Sequence, residues 1–279
     1  GCGKTTTLRI IAGLTMPGYE FSCFDAFTGT LLWKLPGINF AQPTIAYGNL
    51  YGIYGGYLYC ISDKPKDWTH GFIGNVETPR IAVGQYGPSK LNLKWAFQTG
   101  GDVSSSPAVV DGKVYVGSHD KNWYCLDAYT GAKIWNFTIG HYVRSSAAVV
   151  GGRVFTGADD GYFYCLNAST GQQIWKTPAG GHFPNMMVPT EFQPRSSPIV
   201  IGNRVYVGSL DGKVYCLNAE NGNVLYTYQT GGPIFGSPVY YDGTIYITST
   251  DTYLYALNAA DLSLKWRSFP LNLQIGIPQ

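Results

Sequence analysis

Charge is scarce in this chain. Only 13% of its 279 residues are Asp, Glu, Lys or Arg, and they nearly cancel to a net +2. Without a basic stripe there is no electrostatic case for nucleic acid as a partner. No apolar run approaches the ~20 residues needed to cross a bilayer, so no transmembrane segment is expected. A secretory leader is missing as well: the chain opens on Gly1 rather than on a basic n-region, and it reads as a fragment whose true start lies elsewhere. Neither a Cys-x-x-Cys spacing nor an adjacent Cys pair occurs among the six Cys, which removes the usual cysteine metal motif. Oligomeric state leaves no signature.

Tyr and Gly, by contrast, are abundant at 22 and 36. Aromatics fill pleated surfaces and Gly supplies positive-φ corners, so this is strand-and-turn chemistry. Self-similarity then organises the chain. The stretches Ser104–Phe137, Arg144–Thr177, Arg195–Tyr228 and Phe235–Ser268 share one pattern. From Trp33 through Trp95, Trp135, Trp175, Tyr226 and Trp266 the steps are 62, 40, 40, 51 and 40 residues. The base period is therefore 40, with two enlarged units.

Each unit holds four short runs separated by turn signals. In the unit opening at Ser104, strand A is Pro107–Val110, B is Lys113–Gly117, C is Trp123–Ala128, and D carries Ile134-Trp135. Four antiparallel strands per repeat make one propeller blade, so the expected fold is an all-β propeller. Five blades are read at residues 38–100, 101–140, 141–189, 190–231 and 232–270. A sixth is split: strands C and D come from Tyr19–Lys34, and Leu273–Pro278 falls where a strand A begins. The ring closes there, or the chain belongs to a seven- or eight-bladed ring.

The recurring "YCLNASTGQQIW" type of stretch resembles the pyrroloquinoline quinone (PQQ) repeat across residues 19 to 279. The resemblance implies that the strand-D aromatic docks on the neighbouring blade, here Trp33, Trp95, Trp135, Trp175 and Trp266, with Tyr226 departing. The first 18 residues are different. "GCGKTTTLRIIAGLTMPG" resembles the phosphate-binding loop of ABC-transporter ATPases, which would make Gly3, Lys4 and Thr5 nucleotide-binding residues. Nothing later supplies that family's remaining motifs, and the expectation is no ATPase. The same stretch also aligns as a strand B, Arg9–Leu14, of the split blade. It is a foreign segment or that strand.

Repeat register explains most residues that look chemical. Cys23, Cys60, Cys125, Cys165 and Cys216 share one strand-C position, filled by Ala256 in the last unit. Blades set them too far apart to bridge, so they are expected as small buried hydrophobes. Asp120, Asp160, Asp211 and Asp251 follow strand B, where Asp is a turn residue. The four His share no register.

The position before strand A is less easily absorbed: Phe40, Ser104, Arg144, Arg195 and Phe235. In a propeller these residues ring one mouth of the channel, and His119 and His141 are expected on the same face. Two Arg there hold a carboxylate or phosphate, or pair with carbonyls or an Asp of the adjacent turn. Two insertions also stand out, at roughly 62–92 and 180–194. The second places Phe183, Met186 and Met187 between prolines, an adaptable apolar surface for a protein partner or a cap over the channel. Asn136-Phe-Thr138 and Asn167-Ala-Ser169 are glycosylation sequons.

Two function classes follow from the PQQ-repeat resemblance. One is a non-catalytic scaffold, like the bacterial outer-membrane-assembly lipoprotein or a cell-surface repeat protein, with a protein partner, no cofactor, and an extracellular, cell-surface or periplasmic setting. The other is a PQQ-dependent dehydrogenase, whose family stacks the quinone between a Trp and a disulfide of adjacent Cys, with calcium held by Glu, Asn and Asp. The missing Cys pair and the few acidic residues outside turns favour the scaffold.

Overall fold

A two-residue turn at Asp111-Gly112, with φ of 49° and 70°, shows how each repeat starts to fold. Positive φ at both positions makes a hairpin corner whose twist matches the flanking strands, and Gly accepts it without steric cost. In the computed structural model described here, the described residues are 9–13, 20–25, 31–36, 44–46, 49–54, 56–62, 92–179 and 196–268.

All regular structure among them is β. The first sheet has three strands, β1 (Arg9–Gly13), β2 (Glu20–Asp25) and β3 (Leu31–Pro36). Five four-stranded sheets follow. The second holds β4 (Thr44–Ala46), β5 (Asn49–Tyr54), β6 (Tyr57–Ser62) and β7 (Asn92–Gln98). The third holds β8 (Ala108–Val110), β9 (Lys113–Gly117), β10 (Asn122–Asp127) and β11 (Lys133–Thr138). The fourth holds β12 (Ala148–Val150), β13 (Arg153–Ala158), β14 (Tyr162–Asn167) and β15 (Gln173–Pro178). The fifth holds β16 (Ile199–Ile201), β17 (Arg204–Gly208), β18 (Lys213–Asn218) and β19 (Val224–Gln229). The sixth holds β20 (Val239–Tyr241), β21 (Thr244–Thr248), β22 (Leu254–Asn258) and β23 (Leu264–Arg267).

Every sheet is an antiparallel meander in chain order, which is the propeller blade expected from the repeats. The segment read as strand B of the first blade is β1, paired with β2 from Arg9↔Asp25 to Gly13↔Phe21. The tail assigned to its strand A lies outside the described residues. Strand C of the third sheet ends at Asp127 rather than at Ala128. Ala128 has left the ladder because its N–H donates to Gly112 O (2.9 Å) in the A–B turn.

One cross-strand row recurs and explains the Cys set. Tyr115–Cys125–Trp135, Phe155–Cys165–Trp175 and Tyr206–Cys216–Tyr226 each cross strands B, C and D, and a β-bulge follows each Cys. A small thiol between two rings keeps the row flat enough to pack. Cys60, Cys125, Cys165 and Cys216 are buried free thiols.

The chain divides into two compact units, Gly1–Val143 and Arg144–Gln279. In the first, the core between the second and third sheets includes Tyr51, Leu58, Cys60, Val114 and Leu126. In the second, one core joins the fourth and fifth sheets through Phe155, Trp175, Val207 and Leu217, and another joins the fifth and sixth through Tyr206, Ile234, Ile245 and Leu262.

Three joints between sheets, one in the first unit and two in the second, place two donors on one carbonyl. Tyr51 Oη and Trp95 Nε1 both donate to Ala128 O, each at 3.1 Å. In the next joint of this kind residue 155 is Phe and offers no hydroxyl. There Trp175 Nε1 (3.0 Å) is joined on Ala219 O by Arg153 Nη1 (2.9 Å). Where the indole is replaced by Tyr226, Tyr206 Oη (2.6 Å) and Arg204 Nη1 (2.9 Å) share Ala259 O. A buried carbonyl has two lone pairs, and each joint fills both.

Candidate functional site

The turn carboxylates are the largest set of charged groups in register, and all four are engaged within their own repeats. Asp120, Asp160, Asp211 and Asp251 each accept a hydroxyl from the Tyr four residues on, Tyr124, Tyr164, Tyr215 and Tyr255, at 2.5–2.6 Å. The other oxygen of each accepts the backbone N–H two residues on, at 2.9–3.2 Å. Asp120 and Asp251 also take the N–H of Gly100 and Gly231, both at 2.7 Å. Each Asp thus ties the B–C turn to strand C, and Asp120 and Asp251 draw the incoming D–A segment into the same knot.

At Asp120 and Asp251 this knot couples stability to pH. Burial opposes ionisation of Asp120 and Asp251, but hydrogen bonds from Tyr124 and Tyr255 and from backbone N–H groups outweigh it and hold both carboxyls below their ordinary value. Burial, then the bond to Asp120, pushes Tyr124 up to about 12, and burial does the same for the thiols of Cys60, Cys125 and Cys165. Groups with depressed folded values stabilise fully above the free-carboxylate range near about 3.9, and that contribution is lost as pH falls. Groups with raised folded values stabilise fully below about 8.5 for Cys and about 10 for Tyr, and that contribution is lost as pH rises toward 12. The urea midpoint is therefore expected to be flat from about pH 5 to 8 and to fall on both sides. Cys125→Ala, which installs the residue found at Ala256, should shallow the alkaline limb; an unchanged limb would refute the thiol contribution.

Two of the residues singled out before strand A, Ser104 and Arg144, find partners in the B–C turn of the same sheet. Ser104 Oγ lies 2.9 Å from His119 Nε2, and His119 backbone N–H donates to Asp102 O at 2.7 Å. Tyr142 stacks on His119 (centroids 5.1 Å, 26°), and His141 meets the same ring edge-on (4.7 Å, 63°). Ser104, His119, His141 and Tyr142 thus form one aromatic and hydroxyl cluster in the first unit. The two histidines, which share no repeat register, are brought together by an aromatic that sequence reasoning missed.

Arg144, in the second unit, donates from Nη1 to Asp159 Oδ2 at 2.6 Å, with the two side chains 8% and 2% exposed. Its charge is spent inside the sheet. Asp159 was also missed, and its signal was positional. The residues before strand A (Ser104, Arg144, Phe235) correspond in order to the B–C turn residues His119, Asp159 and Thr250. Arg195 lies outside the described residues, as do Phe183, Met186 and Met187 of the insertion and Gly3, Lys4 and Thr5 of the opening segment.

A PQQ–calcium pair would need several oxygen donors turned toward one point. Both oxygens of each turn Asp are already taken within its own repeat, and among the described residues no group of three or more His, Cys, Asp or Glu is placed to hold a metal. The described residues do not fit that group.

Four-stranded meanders, the Tyr/Phe–Cys–Trp row and the Asp–Tyr knot define a β-propeller of the PQQ-repeat class. Residues 20–184 and 187–273 match the model of the outer membrane protein assembly factor BamB family, and the chain belongs to that family. Among solved structures, BamB from Moraxella catarrhalis superposes with a TM-score of 0.63 at 16% identity, over 81% of this chain and 63% of that one. A europium-containing methanol dehydrogenase superposes with a TM-score of 0.58 at 13% identity, over 82% of this chain and 50% of that one. The chain therefore spans less than two thirds of each, and these likenesses are of fold. A curated relative, the beta-alanine-activating enzyme of Danio rerio, is 43% identical over 56 residues, which is 20% of this chain and 5% of that protein.

Proposed function

We propose that this chain is a non-catalytic PQQ-repeat propeller that offers a surface to a protein partner outside the cytoplasm. The observation that carries this reading is where its polar chemistry goes. The turn Asp bond their own Tyr, Arg144 bonds Asp159, and Ser104 meets His119. Among the described residues several large neutral side chains face outward: Tyr129, Ile134, Tyr142 and Ile174 are exposed. Aromatic and aliphatic side chains of this kind suit the desolvated centre of a protein interface, where Tyr is enriched and charge depleted. The assembly-factor family and the extracytoplasmic setting of its namesake support the same reading, though fold alone does not assign function.

Two measurements test it together. The purified chain given PQQ and calcium is expected to reduce no redox dye and to show no thermal shift, because no donor set among the described residues awaits the pair. A photo-crosslinker at position 142 is expected to trap one partner protein that a crosslinker at position 203 does not. Dye turnover would overturn the scaffold in favour of a dehydrogenase, and equal labelling from both positions would remove the partner surface.

A further inference from the structure

The two sequons of this chain occupy different kinds of structure. Asn167 is the first residue of the C–D turn, where its Oδ1 accepts Ser169 N–H (2.9 Å) and Thr170 N–H (3.0 Å). Asp127 and Asn218 do the same in their repeats. The turn demands an Asx residue there, and a Ser two residues later completes a sequon as a by-product. Asn136 answers to no such rule. It follows the strand-D aromatic, where the other repeats have Lys34, Ala96, Lys176, Thr227 and Arg267. It is exposed on β11, which among the described residues is paired on one side only, to β10. Residues two apart in a strand share a face, so Thr138 stands beside it. Both side chains donate to Asn122 Oδ1, Asn136 Nδ2 at 3.2 Å and Thr138 Oγ1 at 2.7 Å.

We propose that Asn136 is the acceptor of an N-linked glycan and that Asn167 is not. The proposal rests on the extracytoplasmic reading above, because the transfer needs a lipid-linked oligosaccharide and its transferase. In that step the bond from Asn136 Nδ2 to the sugar's C1 forms as the bond from C1 to the lipid-bound phosphate breaks. The amide proton leaves with the phosphate, and nothing is oxidised or reduced. The product amide keeps one N–H, so the bond to Asn122 Oδ1 survives and the strand need not move. The edge of β11 gives a bulky polar group room, and it would also shield an edge strand from pairing with another chain.

The test has two arms. The chain is first produced through the secretory route of an N-glycosylating host and mapped by glycopeptide mass spectrometry before and after peptide N-glycosidase. Folded, unglycosylated chain is then incubated with a single-subunit oligosaccharyltransferase and lipid-linked oligosaccharide. In both arms one glycan is expected at Asn136, lost in Asn136→Gln and Thr138→Val and kept in Asn167→Asp. A bare Asn136 in the second arm, or a glycan on Asn167 in its place, would overturn the proposal. Chain that is modified in vitro but never leaves the host's cytosol would count against the extracytoplasmic reading alone.

Discussion

Trp175→Ala is expected to lower the free energy of unfolding by about 3–5 kcal/mol, the range for truncating a core aromatic. Tyr226→Ala, at the same repeat position, should cost about 1–2 kcal/mol. The difference follows from burial and bonding. Trp175 is 8% exposed, its indole N–H holds Ala219 O, and its ring lies against the turn at Gly222, where an added Cβ would sit 2.7 Å from the ring. Removing it leaves a cavity between the fourth and fifth sheets and strips one of two donors from a buried carbonyl. Tyr226 is 40% exposed, and the carbonyl it would otherwise serve is already satisfied by Tyr206 and Arg204. Urea unfolding of the two variants reads the contrast directly. Equal losses would mean that the D-strand aromatic contributes only its own area and that the joint rule is wrong.

The same joints show what could be read before folding. Blade architecture was legible because the repeats carry their own punctuation: tight A–B turns, an Asx-Ala turn after strand C that reads Asx-Ala-x-Thr-Gly in three of them, and an aromatic on strand D. Those signals are local, and local chemistry survives in a single sequence. Burial of Cys60, Cys125, Cys165 and Cys216 was legible for the same reason, since one register position implies one environment. The pairing of Arg144 with Asp159 was legible only as a class of partner, because it joins residues on two different loops. Naming Asp159 required knowing that the residue before strand A meets the B–C turn. The packing of His119 face-on and His141 edge-on against Tyr142 lay further out of reach. It belongs to one repeat alone, and periodicity is silent about features that do not repeat.

Periodicity also marks where one joint has been rebuilt, and this sets the second large effect. At the joint of the fifth and sixth sheets, Trp has become Tyr226 and the turn Gly has become Leu262, which is 1% exposed with φ of 59°. A bulky side chain in the left-handed region is strained by about 1–2 kcal/mol, so something must offset it. Leu262 belongs to the core with Tyr206, Ile234 and Ile245, filling space that Gly222 leaves to Trp175 in the joint before it. The Tyr206 hydroxyl then takes up the lost indole bond on Ala259 O, while Arg204 reaches Ala259 O and Ala260 O with its guanidinium 5.6 Å from the Tyr226 ring centroid. The two replacements are therefore one change in two places. Tyr226→Trp alone should destabilise by about 1–3 kcal/mol, because the larger ring meets the Leu262 side chain. Leu262→Gly alone should cost about 2–4 kcal/mol in lost burial, less the relieved strain. The double variant restores the Trp-on-Gly arrangement of the preceding joint, so its loss should fall short of the sum by about 1–3 kcal/mol. A urea double-mutant cycle measures that shortfall, and losses that add to within about 0.5 kcal/mol would show the two positions to be independent.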